Sequence, residues 1–222
     1  MKSFEQWKEQ DLVYTFGIKK AKNHPLLLKW LAAKNPADAD EKKSIDYLQN
    51  YLANRADKMN EDELKFFFLG PFISLVRYES EHFTAFTQRP LSATVKDLNG
   101  QGIELKGRVE FMVATGFQDP VQPYFFFHEY KQERRVERDP LGQLLSSMLA
   151  AQELNQQKAP LYGCYVVGRL WFFVVLEGKQ YAVSRAYDAS DVEVYDVFSI
   201  LREARTYVET QVNAALAAGA KG

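Results

Sequence analysis

Several features that would identify a class of protein at once are absent from this chain of 222 residues. Its one cysteine, Cys164, excludes an internal disulfide and a zinc site built from several cysteines. No stretch approaches the roughly 20 apolar residues of a membrane-spanning helix, and residues 1–10 carry charges rather than the apolar run of a signal peptide. We therefore expect a protein of the reducing, cytoplasmic compartment with no membrane partner.

An excess of charge of one sign is also lacking. The chain has 28 lysines and arginines against 29 aspartates and glutamates, which leaves a formal net charge of −1. Proteins that bind nucleic acid through a broad surface are usually strongly basic, so any such binding here must be local. The glycine-rich signatures of P-loop and dinucleotide-binding proteins and the nucleophile motif of α/β-hydrolases are missing too, so nothing in the sequence supports those functions.

The features that are present indicate a folded protein that begins with helices. Hydrophobic residues make up 46% of the chain and aromatic residues 14%, which is enough to fill a large core. Apolar residues recur at helical spacing over residues 1–60, and a capping box at Asn60 and Glu63 opens a further helix. That helix meets Gly70-Pro71, where we expect a kink or an end because proline lacks an N–H donor, with a second helical piece over 72–78 after it.

Strands dominate the next part of the sequence. A hairpin is predicted around Asn99-Gly100, followed by strands over 103–114 and 124–132 and by a helix that begins at Asp139-Pro140. Two apolar strands, a further strand over 180–185 and a last helix follow. We therefore predict an α/β fold with a mixed sheet. Its divisions would be an N-terminal helical region over 1–60, a core with a C-terminal helix over 61–213, and a flexible tail over 214–222.

Three charged residues fall on neighbouring strands of this predicted sheet. Glu129 and Lys131 are two positions apart and therefore share a face of their strand, and Glu110 lies within the apolar strand before it. A buried carboxylate needs a partner, and a divalent cation shared by Glu110 and Glu129 would be one, with Lys131 beside it to act on a water or a phosphoryl oxygen. An internal Glu–Lys ion pair, or charges on an exposed edge strand, is the alternative.

The order of these elements and the Glu-x-Lys pattern resemble the PD-(D/E)XK nuclease superfamily over roughly residues 63–175. The resemblance implies a restriction-endonuclease-like αβββαβ core and Mg²⁺- or Mn²⁺-dependent hydrolysis of phosphodiester bonds in DNA. It implies that Glu110 and Glu129 bind the metal, that Lys131 is catalytic, and that Gln143 on the following helix points towards the site. Glu110 replaces the aspartate that is usual in the family, so its carboxylate extends about 1.5 Å further, a difference to which catalytic geometry is sensitive.

The sequence leaves three questions open. The near-zero charge and Glu110 also fit a catalytically inactive module of the same fold that serves interaction or binding. Arg134 and Arg135 follow the Glu-x-Lys pattern and are candidates to bind phosphate, or else they belong to a solvated loop in which acidic residues match them. The oligomeric state is not determined, and a homodimer is compatible with the sequence.

Overall fold

The computed structural model describes residues 2–133, 138–156 and 159–219. Within these residues a mixed sheet of eight strands runs in the order β1-β7-β6-β5-β4-β3-β2, with β8 paired to β6, and helices cover both faces. The strands are β1 (Lys19–Lys20), β2 (Thr84–Lys96), β3 (Gly102–Thr115), β4 (Val121–Lys131), β5 (Leu161–Val167), β6 (Leu170–Glu177), β7 (Gln180–Val183) and β8 (Tyr187–Asp188). The predicted α/β class with a mixed sheet is confirmed.

The helices divide into two layers. They are α1 (Glu9–Phe16), α2 (Pro25–Leu31), α3 (Ala39–Arg55), α4 (Glu61–Leu64), α5 (Gly70–Ser74), α6 (Pro140–Leu154) and α7 (Val194–Gly219). Side chains of α1 and α6 form the core on one face of the sheet, and side chains of α2, α3, α5 and α7 form the core on the other. Among the described residues, no helix is long and apolar enough to cross a membrane.

The strands that carry the candidate residues form a continuous antiparallel meander. β2 pairs with β3 and β3 with β4, and α6 then carries the chain over one face to β5, which lies parallel to β4. The hairpin predicted around Asn99-Gly100 is present. Gly100 takes a positive φ of 82°, and the Asp97 carboxylate accepts hydrogen bonds from the backbone N–H groups of Asn99 and Gln101.

The helix predicted from Asn60 has an unexpected interior. The capping box forms, because Asn60 accepts from the N–H of Glu63 and the Glu63 carboxylate accepts from the N–H of Asn60. α4 then passes into a π-helical turn, Lys65–Leu69, in which the N–H of Gly70 donates to the carbonyl of Lys65. A further helical piece follows, as expected: it is α5, which includes Pro71 in its first turn, where proline is tolerated, and it ends at Ser74.

The N-terminal residues do not form helices alone. β1 pairs parallel with β7 at the edge of the sheet, and its two residues are too few to show a strand pattern in the sequence. The segment before α1 crosses the start of α6 so closely that a Cβ on Gly142 would lie 2.4 Å from the carbonyl oxygen of Trp7. The carboxylate of Asp139 caps α6 and also accepts from the N–H of Glu9, which fixes the N-terminal segment to the helix beside the candidate residues.

Candidate functional site

The structure brings the two residues of the Glu-x-Lys pattern into direct contact. The Lys131 ammonium donates to Oε1 of Glu129 at 2.5 Å and to the backbone carbonyl of Tyr130 at 2.9 Å. Only 3% of Glu129 is exposed, so this contact is made in the protein interior. The internal Glu–Lys ion pair that the sequence left open as an alternative is therefore present.

Glu110 lies on β3, directly before Phe111, and Phe111 pairs with His128 on β4. Glu110 is therefore on the strand next to that of Glu129, close to it in the sheet. Its partners are not those that the sequence indicated. Oε2 of Glu110 accepts from the Lys65 ammonium at 2.6 Å and from the side-chain amide of Gln88 at 2.5 Å. Among the described residues, the ion pair of Glu110 is thus with Lys65 and not with Lys131.

A third carboxylate, which the sequence interpretation missed, links the two pairs. Oε1 of Glu61 lies 2.7 Å from the Lys65 ammonium, and its Oε2 lies 3.8 Å from the Lys131 ammonium. Acidic and basic groups therefore alternate along five side chains. We call these residues the charge chain: Glu110, Lys65, Glu61, Lys131 and Glu129.

The backbone around Glu61 explains its place in the charge chain. Glu61 is the first residue of α4, directly after the Asn60 cap, and Lys65 follows four residues later at the start of the π-helical turn. Residues four apart face the same side of a helix, so the pair presents a carboxylate and an ammonium together. The spacing was visible in the sequence. What it could not show is that this helix end approaches β3 and β4.

Burial and neighbouring charges set the protonation of the site. Burial raises the pKa of Glu129 to about 7, Lys131 opposes that effect, and the charges of Glu110 and Glu61 add to it. For Lys65, burial acts to lower the pKa, but the hydrogen bonds to Glu110 and Glu61 outweigh it and the pKa is raised. The site therefore keeps its ammonium group at Lys65 while Glu129 exchanges a proton near neutral pH.

Gln143 lies apart from these contacts. It is buried in the first turns of α6, and its Oε1 has no hydrogen-bond partner within the described residues. Among the described residues, Gln143 makes no hydrogen bond to any member of the charge chain. That Gln143 points towards the site, as the resemblance implies, therefore stays a prediction. Arg134 and Arg135, the candidate phosphate-binding residues, lie outside the described residues.

A groove of about 980 Å³ opens beside the charge chain, between the helix that spans residues 61–74 and the edge of β2 and β3. Lys65, Gln88 and Glu110 line it, together with the buried Tyr130, whose hydroxyl has no hydrogen-bond partner in the described structure. Phe66, which is 76% exposed, and the half-exposed Phe67 also line it. The groove thus offers apolar walls and a polar corner.

The charge chain contains carboxylate oxygens, which are the kind of ligand that a divalent cation such as Mg²⁺ binds. Within the described ranges, no three histidine, cysteine, aspartate or glutamate side chains are close enough to form a complete metal site. Mg²⁺ usually needs only one or two carboxylates, with water and substrate oxygens as its other ligands. Glu61 and Glu110 both contact the single ammonium of Lys65, so their oxygens already converge on one positive charge. The carboxylate oxygens are donors of the kind that Mg²⁺ or Mn²⁺ binds, and in this structure the ammonium groups of Lys65 and Lys131 contact them.

Comparison with known proteins adds no assignment: the chain matches no protein-family model, and no curated protein matches it significantly.

Proposed function

We propose that this protein is a Mg²⁺- or Mn²⁺-dependent nuclease that hydrolyses phosphodiester bonds in DNA at the charge chain. The observation that carries the proposal is the convergence of Glu110 from β3, the Glu129–Lys131 pair from β4 and Glu61 from α4. Buried charges are costly, and a protein that needed only stability would be served as well by apolar side chains here.

The order of elements supports the same proposal. A helix over residues 61–74, the three strands β2 to β4, the helix α6 and the parallel strand β5 follow one another in the αβββαβ order of the PD-(D/E)XK superfamily. Glu110 lies on the second strand of this series and Glu129 and Lys131 on the third, as the resemblance implies. The restriction-endonuclease-like core is therefore part of the proposal.

Four residues of the charge chain have roles in the proposed reaction. Glu110 would hold the cation with either Glu61 or Glu129 as the second carboxylate, and the cation would supply charge stabilisation at the phosphoryl group. Lys131 places a positive charge beside Glu129, where it orients a water and stabilises negative charge on a phosphoryl oxygen. In the chain without a cation, burial raises the pKa of Glu129 to about 7, so its carboxylate can take up a proton near neutral pH.

The groove indicates where DNA would lie. It leads to Glu110 and Lys65, and its exposed rings, Phe66 and Phe67, offer flat surfaces on which bases can stack. Acidic residues also line it, so the electrostatic attraction for phosphates has to come from the cation and from Lys65 and Arg77. Binding would then be local, in agreement with the net charge of −1.

The decisive experiment is a cleavage assay on single- and double-stranded DNA with Mg²⁺ or Mn²⁺. Lys131→Ala is the test variant, and Lys106→Ala is the matched control because Lys106 forms a surface ion pair with Glu104 on β3. Cleavage by the wild type and by Lys106→Ala, lost in Lys131→Ala and in EDTA, supports the proposal. Absence of cleavage by the wild type on both substrates overturns it.

A second candidate is a nuclease-like interaction module without activity. It is favoured by the ammonium groups themselves, since Lys65 and Lys131 neutralise Glu110 and Glu129 from within the chain. Calorimetric titration with MnCl₂ separates the two candidates. Binding of Mn²⁺ that is lost in Glu110→Gln supports the nuclease, and no binding up to millimolar Mn²⁺ supports the interaction module.

A further inference from the structure

The backbone of β2 contains an unusual residue opposite the charge chain. Gln88 lies in the interior of the strand and has a φ of 53°, in the left-handed region that residues other than glycine rarely adopt. Such strain persists only where surrounding contacts enforce it, and it concentrates at functional sites. Gln88 is therefore a position at which the fold gives up local stability.

The strain does not shift the register of the strands, although Gln88 is the one residue of Thr84–Lys96 without a pairing partner on β3. Thr87 pairs with Phe111 and Arg89 pairs with Val109, so the register of β2 against β3 is the same on both sides of Gln88. A β-bulge would insert a residue and shift this register. The reason for the unusual backbone must therefore be sought in the contacts that Gln88 itself makes.

Those contacts connect Gln88 to the candidate site. Its side-chain amide donates to Oε2 of Glu110 at 2.5 Å, and its backbone carbonyl accepts from the guanidinium of Arg108 at 2.9 Å. The Lys65 ammonium contacts the same oxygen, Oε2 of Glu110. Two donors from different elements thus engage one oxygen of this carboxylate and fix how it is rotated.

We propose that Gln88 is a positioning residue: its strained backbone holds the side-chain amide on Oε2 of Glu110, so that Oε1 is presented to a divalent cation. The inference rests on the proposed function, because it assigns Glu110 a cation to bind. The inference adds Gln88, an uncharged residue on β2, to the residues of the proposed metal site. A hydrogen-bond donor that orients a metal-binding carboxylate typically changes metal affinity by 10- to 100-fold.

The test is Gln88→Gly, a change that should move two measurements in opposite directions. Glycine adopts a positive φ without strain, so the melting temperature should equal or exceed that of the wild type. The variant loses the amide that orients Glu110, so its Kd for Mn²⁺ should rise about tenfold or more in calorimetric titration without DNA.

The matched control is Gln156→Gly. Gln156 follows the end of α6 and has a φ of 57°, so glycine relieves the same kind of strain away from the charge chain. Its melting temperature should rise while its Kd for Mn²⁺ stays at the wild-type value. The control measures the effect of glycine alone, and the difference between the two variants measures the effect of the amide on Glu110.

The outcomes separate the inference from the proposed function. If the wild type binds Mn²⁺ and Gln88→Gly binds it equally well, the positioning role is overturned and the metal site is retained. A loss of melting temperature in Gln88→Gly with an unchanged Kd also overturns it, because that result describes a purely structural residue. A wild-type chain that binds no Mn²⁺ overturns the proposed function and, with it, any role of Gln88 towards a cation.

Discussion

Two neighbours on β4, His128 and Glu129, are almost equally buried and yet meet opposite surroundings. His128 is 1% exposed and lies among aromatic rings, with the centroids of Phe111 and Phe126 each 4.6 Å away. Its Nδ1 lies 3.2 Å from the sulfur of Cys164, and its Nε2 has no hydrogen-bond partner within the described residues. Glu129 points to the other face of the strand and contacts an ammonium group.

The two faces of β4 show how a counter-ion changes the pKa of a buried group. Burial without a counter-ion lowers the pKa of His128 to about 3, so the ring is neutral at any physiological pH. Burial also raises the pKa of Glu129, but Lys131 opposes it and the value stays at about 7. Lys131 therefore keeps Glu129 able to ionise near neutral pH, whereas no residue in the described ranges acts as a counter-ion for His128.

The pKa values give the two residues opposite effects on the pH dependence of stability. The pKa of His128 is about 3 in the folded protein against an ordinary value of 6.5, so the unfolded chain binds more protons between these values and stability falls as pH falls. The pKa of Glu129 is about 7 against 4.5, so the folded protein binds more protons in that range and stability falls as pH rises.

The largest expected effect, on the free energy of unfolding at acid pH, comes from replacing His128. At about 1.4 kcal/mol for each pH unit between its folded and unfolded pKa values, protonation of His128 costs the wild type roughly 5 kcal/mol by pH 3. His128→Phe removes that dependence, so urea unfolding should show the variant gaining on the wild type steadily below pH 6.5. At pH 7 the two should agree within about 1.5 kcal/mol, because phenylalanine keeps the aromatic volume.

His82 is the matched control for that experiment, because it is an exposed histidine. His82→Phe should leave the acid dependence of the wild type unchanged. If the stability of His128→Phe and of the wild type falls equally towards acid pH, the pKa of His128 is not lowered in the folded protein. The contrast between the two faces of β4 would then be lost.

The next effect is the removal of the counter-ion on the charged face. Lys131→Met leaves Glu129 buried without its ammonium partner, and breaking such a buried pair costs about 4 kcal/mol. The cost should be smallest at pH 5.5, where Glu129 is protonated in both proteins, and should grow as pH rises above 7 to 8.5, because loss of Lys131 raises the pKa of Glu129 further. The free energy of urea unfolding at both values, with Lys106→Met as the surface control, checks this expectation. An equal loss at the two pH values would contradict it.

A smaller effect follows from neutralising Glu129 while its shape is kept. Ionisation of Glu129 costs the wild type about 3 kcal/mol as pH rises from 4.5 through 7, by the same conversion. Glu129→Gln cannot ionise and should therefore gain by that amount on the wild type over this interval. Glu104→Gln, on the surface of β3, should show no such gain. A constant difference between Glu129→Gln and the wild type from pH 4.5 to 8 would show that the pKa of Glu129 is not raised.

Part of this site could be predicted from the sequence because strands have a simple period. Glu129 and Lys131 are two residues apart, so their shared face follows from strand geometry alone, and the hairpin at Asn99-Gly100 places the strand of Glu110 beside an earlier one. The helix that begins after Asp139 is likewise local, because its cap and first residue are adjacent in the sequence. These predictions needed only neighbouring residues.

The rest depends on contacts between distant segments. Glu61 and Lys65 form a visible pair on one helix, but only the packing of that helix against β3 and β4 brings the pair to Glu110. Gln88 is still harder to foresee, because a glutamine within a strand carries no sequence signal of a positive φ. Helical periodicity likewise could not show that the turn after α4 is π-helical.

The smallest effect tests whether the second ammonium of the charge chain acts as a counter-ion in the same sense as Lys131. Lys65 is less buried than Lys131, so Lys65→Met should cost only about 1 kcal/mol of stability at pH 7.5. The carboxylates of Glu61 and Glu110 would then face each other without it, and Mn²⁺ should bind roughly three- to tenfold more tightly because it no longer competes with a tethered cation. Added Mn²⁺ should also restore the lost stability, since it binds only the folded chain.

Lys43→Met, at an exposed ion pair on α3, should alter neither measurement. Weaker Mn²⁺ binding by Lys65→Met would mean instead that Lys65 helps to assemble the carboxylates, which would make the two lysines of the charge chain different in kind.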